Sequence, residues 1–465
     1  MSEIPIEHIQ GDVLDRLPKD TEYFLFFHIK DTEKFRVALN DLLDPEAGCG
    51  HASAKDVCDV RQKFLAWDKS HGRMPHSFFN IAFSKDGLEA LGFKHRDLND
   101  EHFNNGQFED AEELGDPIVE KNGKQLPDWE NEFVELELAH KIHGIILVAG
   151  KEENVKQHSE EIKRALEEST LFVYHLEAAT LPDDRRKNEH FGWRDGISQP
   201  FVEGYTEGEP QKGQTRIPPG VIIIGAKGDP QPSRPEWALG GSFMVFRKLK
   251  QLVPEFHKFL METTTKGGIL TPEEQKAAAK LLGSRLIGRW PSGTPLEQHP
   301  AEDVPVPDDK LNSFTYEKSK EPRCPYGAHI RKTNPRNNIP DKFTIKSSIM
   351  RAGIPYGKEV EPGSQEEKEH KTSNDRGLAF VAYQSVIKEG FVEQQKAWAN
   401  EPKFPPHDSA ELPGFDGIIG QRRGSNRERQ GILGVKLPKD FVQPRAGSYF
   451  FVPSIPALHK FFSKA

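Results

Sequence analysis

The sequence predicts an α+β fold with antiparallel sheets and flanking helices. Residues 23–29 (YFLFFHI) form a short run of aromatic and branched apolar side chains, which is typical of a buried strand. Residues 32–43 follow with Phe35, Leu39 and Leu42 at helical spacing. Such pairs recur without a regular βα alternation and without a phosphate-binding glycine loop. This pattern favours an α+β fold over a doubly wound parallel sheet.

The first half of the chain repeats the pattern of strand and helix. An apolar run at 142–148 predicts a strand, and residues 152–168 carry apolar side chains at helical spacing. A second strand pattern follows at 171–176, and residues 80–83 predict a further one. The first half is therefore expected to form a sheet with helices packed on it.

The second half shows the same scheme and is separated from the first by a stretch rich in charge, glycine and proline. Strands are predicted at 221–224, 242–247, 378–383 and 448–452, and an amphipathic helix over 253–260. Residues 206–219 have the composition of a domain boundary. Because 465 residues exceed what one core usually serves, we predict two domains, 1–210 and 211–465.

The charge balance argues against general binding to nucleic acid or to an anionic membrane. The chain has 63 basic and 72 acidic residues and a net charge of −9. The first residues show no secretory signal, and no later run is apolar enough to span a membrane. We expect a cytoplasmic location for the chain as written, and an extracellular one if a leader has been removed or export is non-classical.

Three cysteines occur, at positions 49, 58 and 324, and none belongs to a C-x-x-C pair. This pattern indicates neither a zinc site nor a disulfide framework. Cys49 and Cys58 could pair in an oxidising compartment.

The most informative segment is residues 191–200 (FGWRDGISQP), which places Asp195 in a turn between Gly192 and Gly196. Glycine adopts backbone angles that other residues avoid and allows a flat ligand to approach closely, so this turn could direct a carboxylate into a cavity. A plain turn with an aspartate is the alternative.

Two further segments carry candidate chemistry. His329 lies among small and apolar neighbours, two residues before Arg331. A neutral imidazole binds iron, and a nearby guanidinium can pair with a porphyrin propionate, whereas the alternative is a buried structural histidine. Arg351 lies in an apolar run before a Gly/Pro turn, where a buried guanidinium needs an anionic partner such as Asp195. A surface salt bridge is the alternative.

Together these segments resemble the dye-decolorising (DyP-type) family of haem peroxidases, in its long fungal-like type. The turn at 192–196 resembles the family's G-x-x-D-G signature, His329 in AHIRKTNPR its proximal iron ligand, and Arg351 its distal arginine. Supporting stretches cover most of the chain, at 9–12, 80–92, 241–249, 288–294, 376–385 and 447–453.

The resemblance implies two ferredoxin-like halves, with haem b held mainly by the second. It implies that Asp195 acts as distal acid/base and that Arg351 stabilises charge while hydrogen peroxide is cleaved. Leu378 and Phe380 resemble the apolar residues over the distal haem face, and Asp416 resembles the acid that accepts a hydrogen bond from the proximal histidine. Ordinary strand core and a turn aspartate are the alternatives for these three residues.

The resemblance also implies how large substrates are oxidised. Bulky dyes cannot easily enter a pocket lined by apolar side chains, so Trp398 and Tyr356 are candidate electron relays to the surface. Trp398 lies in a polar, helical stretch where an indole could be exposed, although structural packing is the more frequent role of tryptophan. We expect hydrogen peroxide and dyes or phenolic compounds as partners, and a monomer or homodimer. Because a carboxylate has a pKa of about 4, it remains a base at low pH and predicts an acidic optimum.

Two other classes of protein can be weighed on the same residues. A haem-binding or haem-delivery protein would need His329 but not Asp195 beside Arg351. A metal-free hydrolase would need a nucleophile, but no G-x-S-x-G elbow is present and Cys324 directly precedes a proline.

Overall fold

The computed structural model describes residues 3–44, 51–66, 77–265, 270–318, 323–407, 412–421 and 435–464. Within these residues the strands are β1 (Thr21–Ile29), β2 (Ser77–Phe83), β3 (Ile118–Lys121), β4 (Lys124–Pro127), β5 (Gly144–Gly150), β6 (Thr170–Ala179), β7 (Phe201–Val202), β8 (Arg216–Ile217), β9 (Ser242–Gln251), β10 (Met350–Arg351), β11 (Ile354–Tyr356), β12 (Gly377–Gln384) and β13 (Val442–Val452).

The described α-helices are α1 (Thr32–Leu42), α2 (Ala54–Ala66), α3 (Lys85–Ala90), α4 (Glu101–Asn105), α5 (Gln107–Asp110), α6 (Asn131–Leu138), α7 (Glu152–Leu166), α8 (Val253–Thr265), α9 (Pro272–Ile287), α10 (His329–Thr333), α11 (Asp341–Lys346), α12 (Gln365–Glu369) and α13 (Ile455–Ala457). Two π-helices span Lys388–Ala399 and Leu458–Phe462. In this described part of the chain, no helix is both long and apolar enough to cross a membrane.

The main sheet closes on itself and forms a barrel of antiparallel strands. Around the barrel the order is β9, β12, β11, β6, β1, β5, β2, β13 and again β9. β10 and β11 pair with β12 in one continuous register. Each half of the chain contributes four adjacent strands in the spatial order 4-1-3-2, with helices in the connections, which is the ferredoxin-like arrangement. The predicted α+β fold with two ferredoxin-like units is therefore confirmed.

The two halves share the barrel through two short strand contacts. Phe83 of β2 pairs with Phe451 of β13, and Ala178 of β6 pairs with Tyr356 of β11. The expected boundary at residue 210 lies in the loop between β7 and β8, which pair with each other in parallel. The exact division at 210 stays a prediction.

Alternation along the strands divides the core between the inside and the outside of the barrel. Phe24 and Phe26 of β1 belong to the interior cluster, whereas Leu25 and Phe27 belong to a second cluster outside, which includes apolar residues of α1 and α7. Successive side chains of a strand point to opposite faces, so a strand that is covered on both sides is apolar throughout. This arrangement explains the unbroken apolar run of residues 23–27.

The strand predicted at 221–224 is wrong. Pro218 and Pro219 lack backbone N–H donors, and the segment turns through a short 3₁₀-helix, Pro219–Val221, instead of extending. The apolar run is nevertheless buried, because Ile222 and Ile223 pack against the interior cluster of the barrel. Burial of a loop produced the same apolar pattern as burial of a strand.

The barrel interior depends on Phe26, whose ring lies 5.0 to 6.0 Å from the rings of Phe133, Tyr174, Phe246 and Phe450. We expect Phe26→Ala to lower the free energy of unfolding by about 3 to 5 kcal/mol, because it leaves a cavity among these rings. Denaturant unfolding monitored by circular dichroism measures the change. Val37→Ala, at a side chain that is 58% exposed, is the control and should change stability by less than about 0.5 kcal/mol. Equal effects of the two variants would contradict the assignment of the interior.

Candidate active site

A deep cavity lies against the outer face of the second half of the barrel. Leu249 of β9, Leu378 and Phe380 of β12 and Pro444 of β13 form part of its wall. The residues between them on β12, Ala379 and Val381, belong to the interior cluster instead. Strand alternation therefore places Leu378 and Phe380 on the cavity side.

The turn predicted from the glycine pattern forms one side of this cavity. Gly192 and Gly196 have φ values of +101° and +71°, in the region that favours glycine. Asp195, which lies between them, donates its N–H to the carbonyl of Lys187 at 2.9 Å, and its side chain lines the cavity. The two glycines thus allow the tight path that presents this carboxylate.

Asp195 forms an ion pair with Arg351. The distance from Arg351 Nη1 to Asp195 Oδ1 is 3.3 Å. Burial alone would raise the pKa of Asp195, but the Arg351 guanidinium and the N–H of Gly196 hold this pKa below its ordinary value of 3.8. Asp195 is therefore a carboxylate at neutral pH.

Arg351 is itself fixed by two neighbours of the turn. Its Nη2 donates to the carbonyl of Ser198 at 2.7 Å, and its backbone N–H donates to Gln199 Oε1 at 3.1 Å. Gln199 Nε2 donates in return to the carbonyl of Arg351 at 2.6 Å. These contacts join β10 to the segment after the turn, so the acid and the guanidinium keep a defined separation.

His329 is the first residue of α10 and lines the same cavity. Its Nδ1 lies 2.8 Å from Oδ2 of the fully buried Asp416. The other carboxylate oxygen, Oδ1, accepts the backbone N–H groups of Ile418 at 2.8 Å and Ile419 at 3.0 Å. Because Asp416 accepts hydrogen bonds at both oxygens, Nδ1 of His329 carries the proton and Nε2 keeps its lone pair.

The pKa values of this pair follow from the same contacts. Burial raises the pKa of Asp416, but His329 and the two backbone N–H groups outweigh burial, and the net pKa lies below 3.8. Burial lowers the pKa of His329, but the Asp416 carboxylate outweighs this effect and raises the net value. An anionic acceptor thus increases the basicity of the imidazole.

Arg331 does not belong to the cavity, in contrast to its predicted contact with a propionate. It is fully buried and lies outside the cavity lining. Its guanidinium donates to Asn338 Oδ1 and to the carbonyls of Cys324 and Glu317, and it lies over the rings of two tyrosines, Tyr316 and Tyr326. Because α10 is helical, residues 329 and 331 point in different directions, and a spacing of two does not bring them to one site.

Both aromatic relay candidates are buried, so of the two alternatives for Trp398, an exposed indole or a packed one, the structure has the packed one. Trp398 is 4% exposed, lines the cavity and stacks on Phe404 with ring centroids 5.2 Å apart. Tyr356 is 2% exposed and lies in the barrel interior, where its hydroxyl donates to Asp375 at 3.3 Å. Burial and Asp375 raise the pKa of Tyr356. Relay roles for both residues stay predictions.

Arg289 is a cation of the cavity that the individual motifs missed. It is 2% exposed, lines the cavity, and donates to the carbonyls of Gly293 and Leu311 and to Ser198 Oγ, all of which are neutral. Burial, followed by repulsion from Arg336, lowers the pKa of Arg289 to about 9. The signal was present in the sequence, because Arg289, like Arg351, interrupts an apolar run before a Gly/Pro turn.

The pairing of Cys49 with Cys58 stays a prediction, because Cys49 lies outside the described residues. Cys324 is fully buried, and burial raises the pKa of its thiol to about 12.

The fold and the cavity define a class of α+β barrel protein in which a carboxylate, a guanidinium and an imidazole line one deep site. Residues 8–182 match the family described as "DyP dimeric alpha+beta barrel domain", and residues 282–405 match "Dyp-type peroxidase, C-terminal". A dye-decolorising peroxidase of Auricularia auricula-judae is 36% identical over 97% of this chain and 86% of its own length. Peroxidase 2 of Mycetinis scorodonius is 36% identical over 98% of this chain and 87% of its own length.

Solved structures give the same result. An ancestral D-type dye-decolorising peroxidase is 39% identical with a TM-score of 0.88, and the match covers 100% of both chains. A dye-decolorising peroxidase in complex with 2,6-dimethoxyphenol is 36% identical with a TM-score of 0.83 over 99% of this chain and 100% of that one. The chain belongs to the DyP-type peroxidase family. It is a peroxidase, hence an oxidoreductase, and like its family a haem enzyme, which sets aside the delivery protein and the hydrolase.

The cavity residues fit a haem. The lone pair on His329 Nε2 suits iron, Leu249, Leu378 and Phe380 offer apolar surface to a porphyrin, and Arg289 is a buried cation whose acceptors are all neutral. An anionic substituent of the porphyrin would satisfy that charge.

The contacts of Arg331 predict a structural role. We expect Arg331→Met to lower the free energy of unfolding by about 3 kcal/mol, because it leaves two buried oxygen acceptors and a partly buried one without this donor. Denaturant unfolding measures this loss. Arg323→Met is the matched control, since its side chain is 56% exposed and its ion pair with Glu317 at 3.5 Å contributes little. A stable Arg331→Met protein that fails to retain haem would instead restore the propionate role.

Proposed function

We propose that the protein uses hydrogen peroxide to oxidise dyes and phenolic or other aromatic compounds by one-electron steps, with Asp195 as distal acid/base, Arg351 as charge stabiliser and His329 as iron ligand. The observation that carries the proposal is the ion pair of Asp195 and Arg351, at 3.3 Å, in the wall of the cavity that His329 also lines. The substrate class is supported by relatives named as dye-decolorising peroxidases and by the structure of one with 2,6-dimethoxyphenol.

Haem b is the proposed cofactor, and when bound it supplies the iron that accepts two oxidising equivalents from peroxide and passes them on singly. His329 would hold that iron through Nε2, while Asp416 fixes the imidazole ring through Nδ1. Arg289 is proposed to neutralise a propionate in place of Arg331.

Asp195 moves the proton in the proposed reaction. As a carboxylate it takes the proton from the inner oxygen of hydrogen peroxide and returns it to the outer oxygen, which leaves as water. Its low pKa supports this role at acidic pH, because the base stays ionised where an imidazole would already be protonated.

Arg351 stabilises the negative charge that develops as the O–O bond breaks. The guanidinium is permanently charged, and its contacts with Ser198 and Gln199 hold it in place before the reaction begins. Such preorganisation is effective because no reorientation is needed as the charge develops.

Electron transfer to bulky dyes is proposed to pass through Trp398. Its indole lines the cavity and stacks in parallel on Phe404, which continues the aromatic contact away from the cavity. Tyr356 is a second candidate inside the barrel, where Asp375 can accept its phenolic proton.

The roles of Asp195 and Arg351 predict distinct pH profiles for the reaction with peroxide. In the native enzyme Asp195 should limit the rate only at a pH below 3.8, because above that pH its carboxylate stays ionised. In Arg351→Leu no guanidinium opposes the effect of burial on the pKa of Asp195, so this pKa rises and the fall of the rate at acidic pH begins at a higher pH. The maximal rate also falls, by about 10²- to 10³-fold. Stopped-flow measurement of the Soret change measures both effects.

Asp195→Asn should slow the same step by about 10²- to 10⁴-fold wherever Asp195 is ionised in the native enzyme. Asp341→Asn, at an exposed residue of α11, is the control and should leave the rate unchanged. Native rates in Asp195→Asn would refute the assignment of the distal acid/base.

The proposed path through Trp398 predicts selectivity by substrate size. Trp398→Phe should reduce the turnover of dyes too large for the cavity while the turnover of small phenols is retained, because only the large dyes depend on transfer through the protein. Steady-state assays with one substrate of each size measure the ratio. Trp193→Phe, which also replaces a buried tryptophan of the cavity lining, is the matched control. An unchanged ratio in Trp398→Phe would exclude the path.

A further inference from the structure

A second carboxylate, Glu189, lies in the cavity wall beside the turn that carries Asp195. Its Oε2 accepts the backbone N–H of Phe191 at 2.9 Å, and its Oε1 accepts the backbone N–H of Trp193 at 3.0 Å. The backbone of Glu189 adds two more bonds, from its N–H to the carbonyl of Trp193 and from Gly192 N–H to its own carbonyl, each at 2.9 Å. Four hydrogen bonds thus tie this one residue to the three residues that precede Arg194 and Asp195.

Glu189 also connects the turn to the barrel. Gln251, the last residue of β9, donates Nε2 to Glu189 Oε2 at 2.5 Å. The neighbouring His190 lies 2.8 Å, through Nε2, from the carbonyl of Tyr356 in β11. These two hydrogen bonds anchor the turn to β9 and β11 of the second half. Arg351 lies in β10, which pairs with β12 in the same register as β11 does.

A carboxylate suits this position better than a neutral amide. Its two oxygens accept two separate N–H groups at once, whereas a glutamine would direct its own N–H₂ group at one of them. Burial raises the pKa of Glu189 to about 7, and the bonds from Phe191, Gln251 and Trp193 oppose this rise. A carboxylate kept at such a cost beside a reactive site is typical of a functional requirement.

We propose that Glu189 is a positioning residue for Asp195: its carboxylate fixes the backbone of the turn, and so holds the Asp195 carboxylate at its working distance from Arg351. This inference rests on the proposed role of Asp195 as the distal acid/base. Glu189 itself transfers no proton to peroxide and acts only through the backbone of residues 191–193.

The test compares Glu189→Gln with the native haem-loaded enzyme at about pH 8, above the pKa of about 7, where Glu189 is ionised. Without peroxide, hydrogen exchange followed by mass spectrometry should show faster exchange, by roughly tenfold or more, within residues 191–193, because the side-chain N–H₂ of glutamine replaces the acceptor of one of these amides. Stopped-flow measurement should show a reaction with peroxide that is roughly 10- to 100-fold slower, as expected for a displaced catalytic group.

The rate at which the peroxide-oxidised enzyme is reduced by a small phenol should stay native. A merely structural defect would not separate the peroxide step from the reductant step in this way.

Asp100→Asn is the matched control. Asp100 is a buried carboxylate that accepts the N–H groups of Phe103 at 3.0 Å and Ile387 at 2.9 Å, outside the cavity lining. It should lose stability without a change in the exchange of residues 191–193 or in the peroxide rate. If Asp100→Asn slows the peroxide step as much as Glu189→Gln does, general destabilisation explains the effect and the inference fails.

Asp195→Asn separates this inference from the proposed function. If Asp195→Asn is slow while Glu189→Gln exchanges and reacts as the native enzyme does, the positioning role is refuted and the role of Asp195 stands. If Asp195→Asn reacts at the native rate, the distal acid/base itself is refuted. If both variants are slow and only Glu189→Gln loosens residues 191–193, the inference is supported.

Discussion

The site depends on one constraint of the closed barrel, the alternation of side chains between its two faces. In β12, Ala379 and Val381 fill the interior, and therefore Leu378 and Phe380 must face outward, where they line the cavity. A shift of one residue in the register of β12 against β9 would exchange these two sets. The interior packing of the barrel thus determines which side chains a bound porphyrin would contact.

Two carboxylates at the site, Asp195 and Asp416, each belong to a separate pair. Burial alone would raise the pKa of both Asp195 and Asp416, yet both lie below the ordinary value, because Arg351 and His329 respectively oppose burial. Each carboxylate therefore remains ionised for a different reason, one beside a guanidinium and one beneath three hydrogen-bond donors. In the proposed reaction this separation lets one acid exchange a proton while the other keeps the iron ligand oriented.

Secondary-structure elements could be predicted from the sequence where a local pattern of apolar residues has a single physical cause. The apolar run of β1 reflects a strand buried on both faces, and the spacing of apolar residues in α1 reflects a helix buried on one face. Both elements were predicted within two residues at each end. Contacts between distant residues could not be read in this way. The orientation of Arg331 depends on Cys324, Glu317 and Asn338, which chain spacing does not reveal.

Whether a side chain is exposed also depends on contacts between residues that local sequence does not reveal. Trp398 lies in a polar stretch, but it is buried by stacking on Phe404, a contact that polarity does not encode. For Asp195, His329 and Arg351 the resemblance of whole motifs supplied the information that residue spacing lacked. Their meeting in one cavity agrees with that prediction, whereas their roles remain proposals.

The acid and the guanidinium come from opposite sides of the predicted boundary at residue 210. Asp195 belongs to the connection that follows β6, whereas Arg351 lies in β10 of the second half. Their separation of 3.3 Å is set where the halves join, through the pairing of Ala178 with Tyr356 and through the contacts of Glu189 and His190 with β9 and β11. A chain divided at 210 would separate Asp195 and its turn from Gln251 and Arg351, so the two ferredoxin-like units form a single structure at the site.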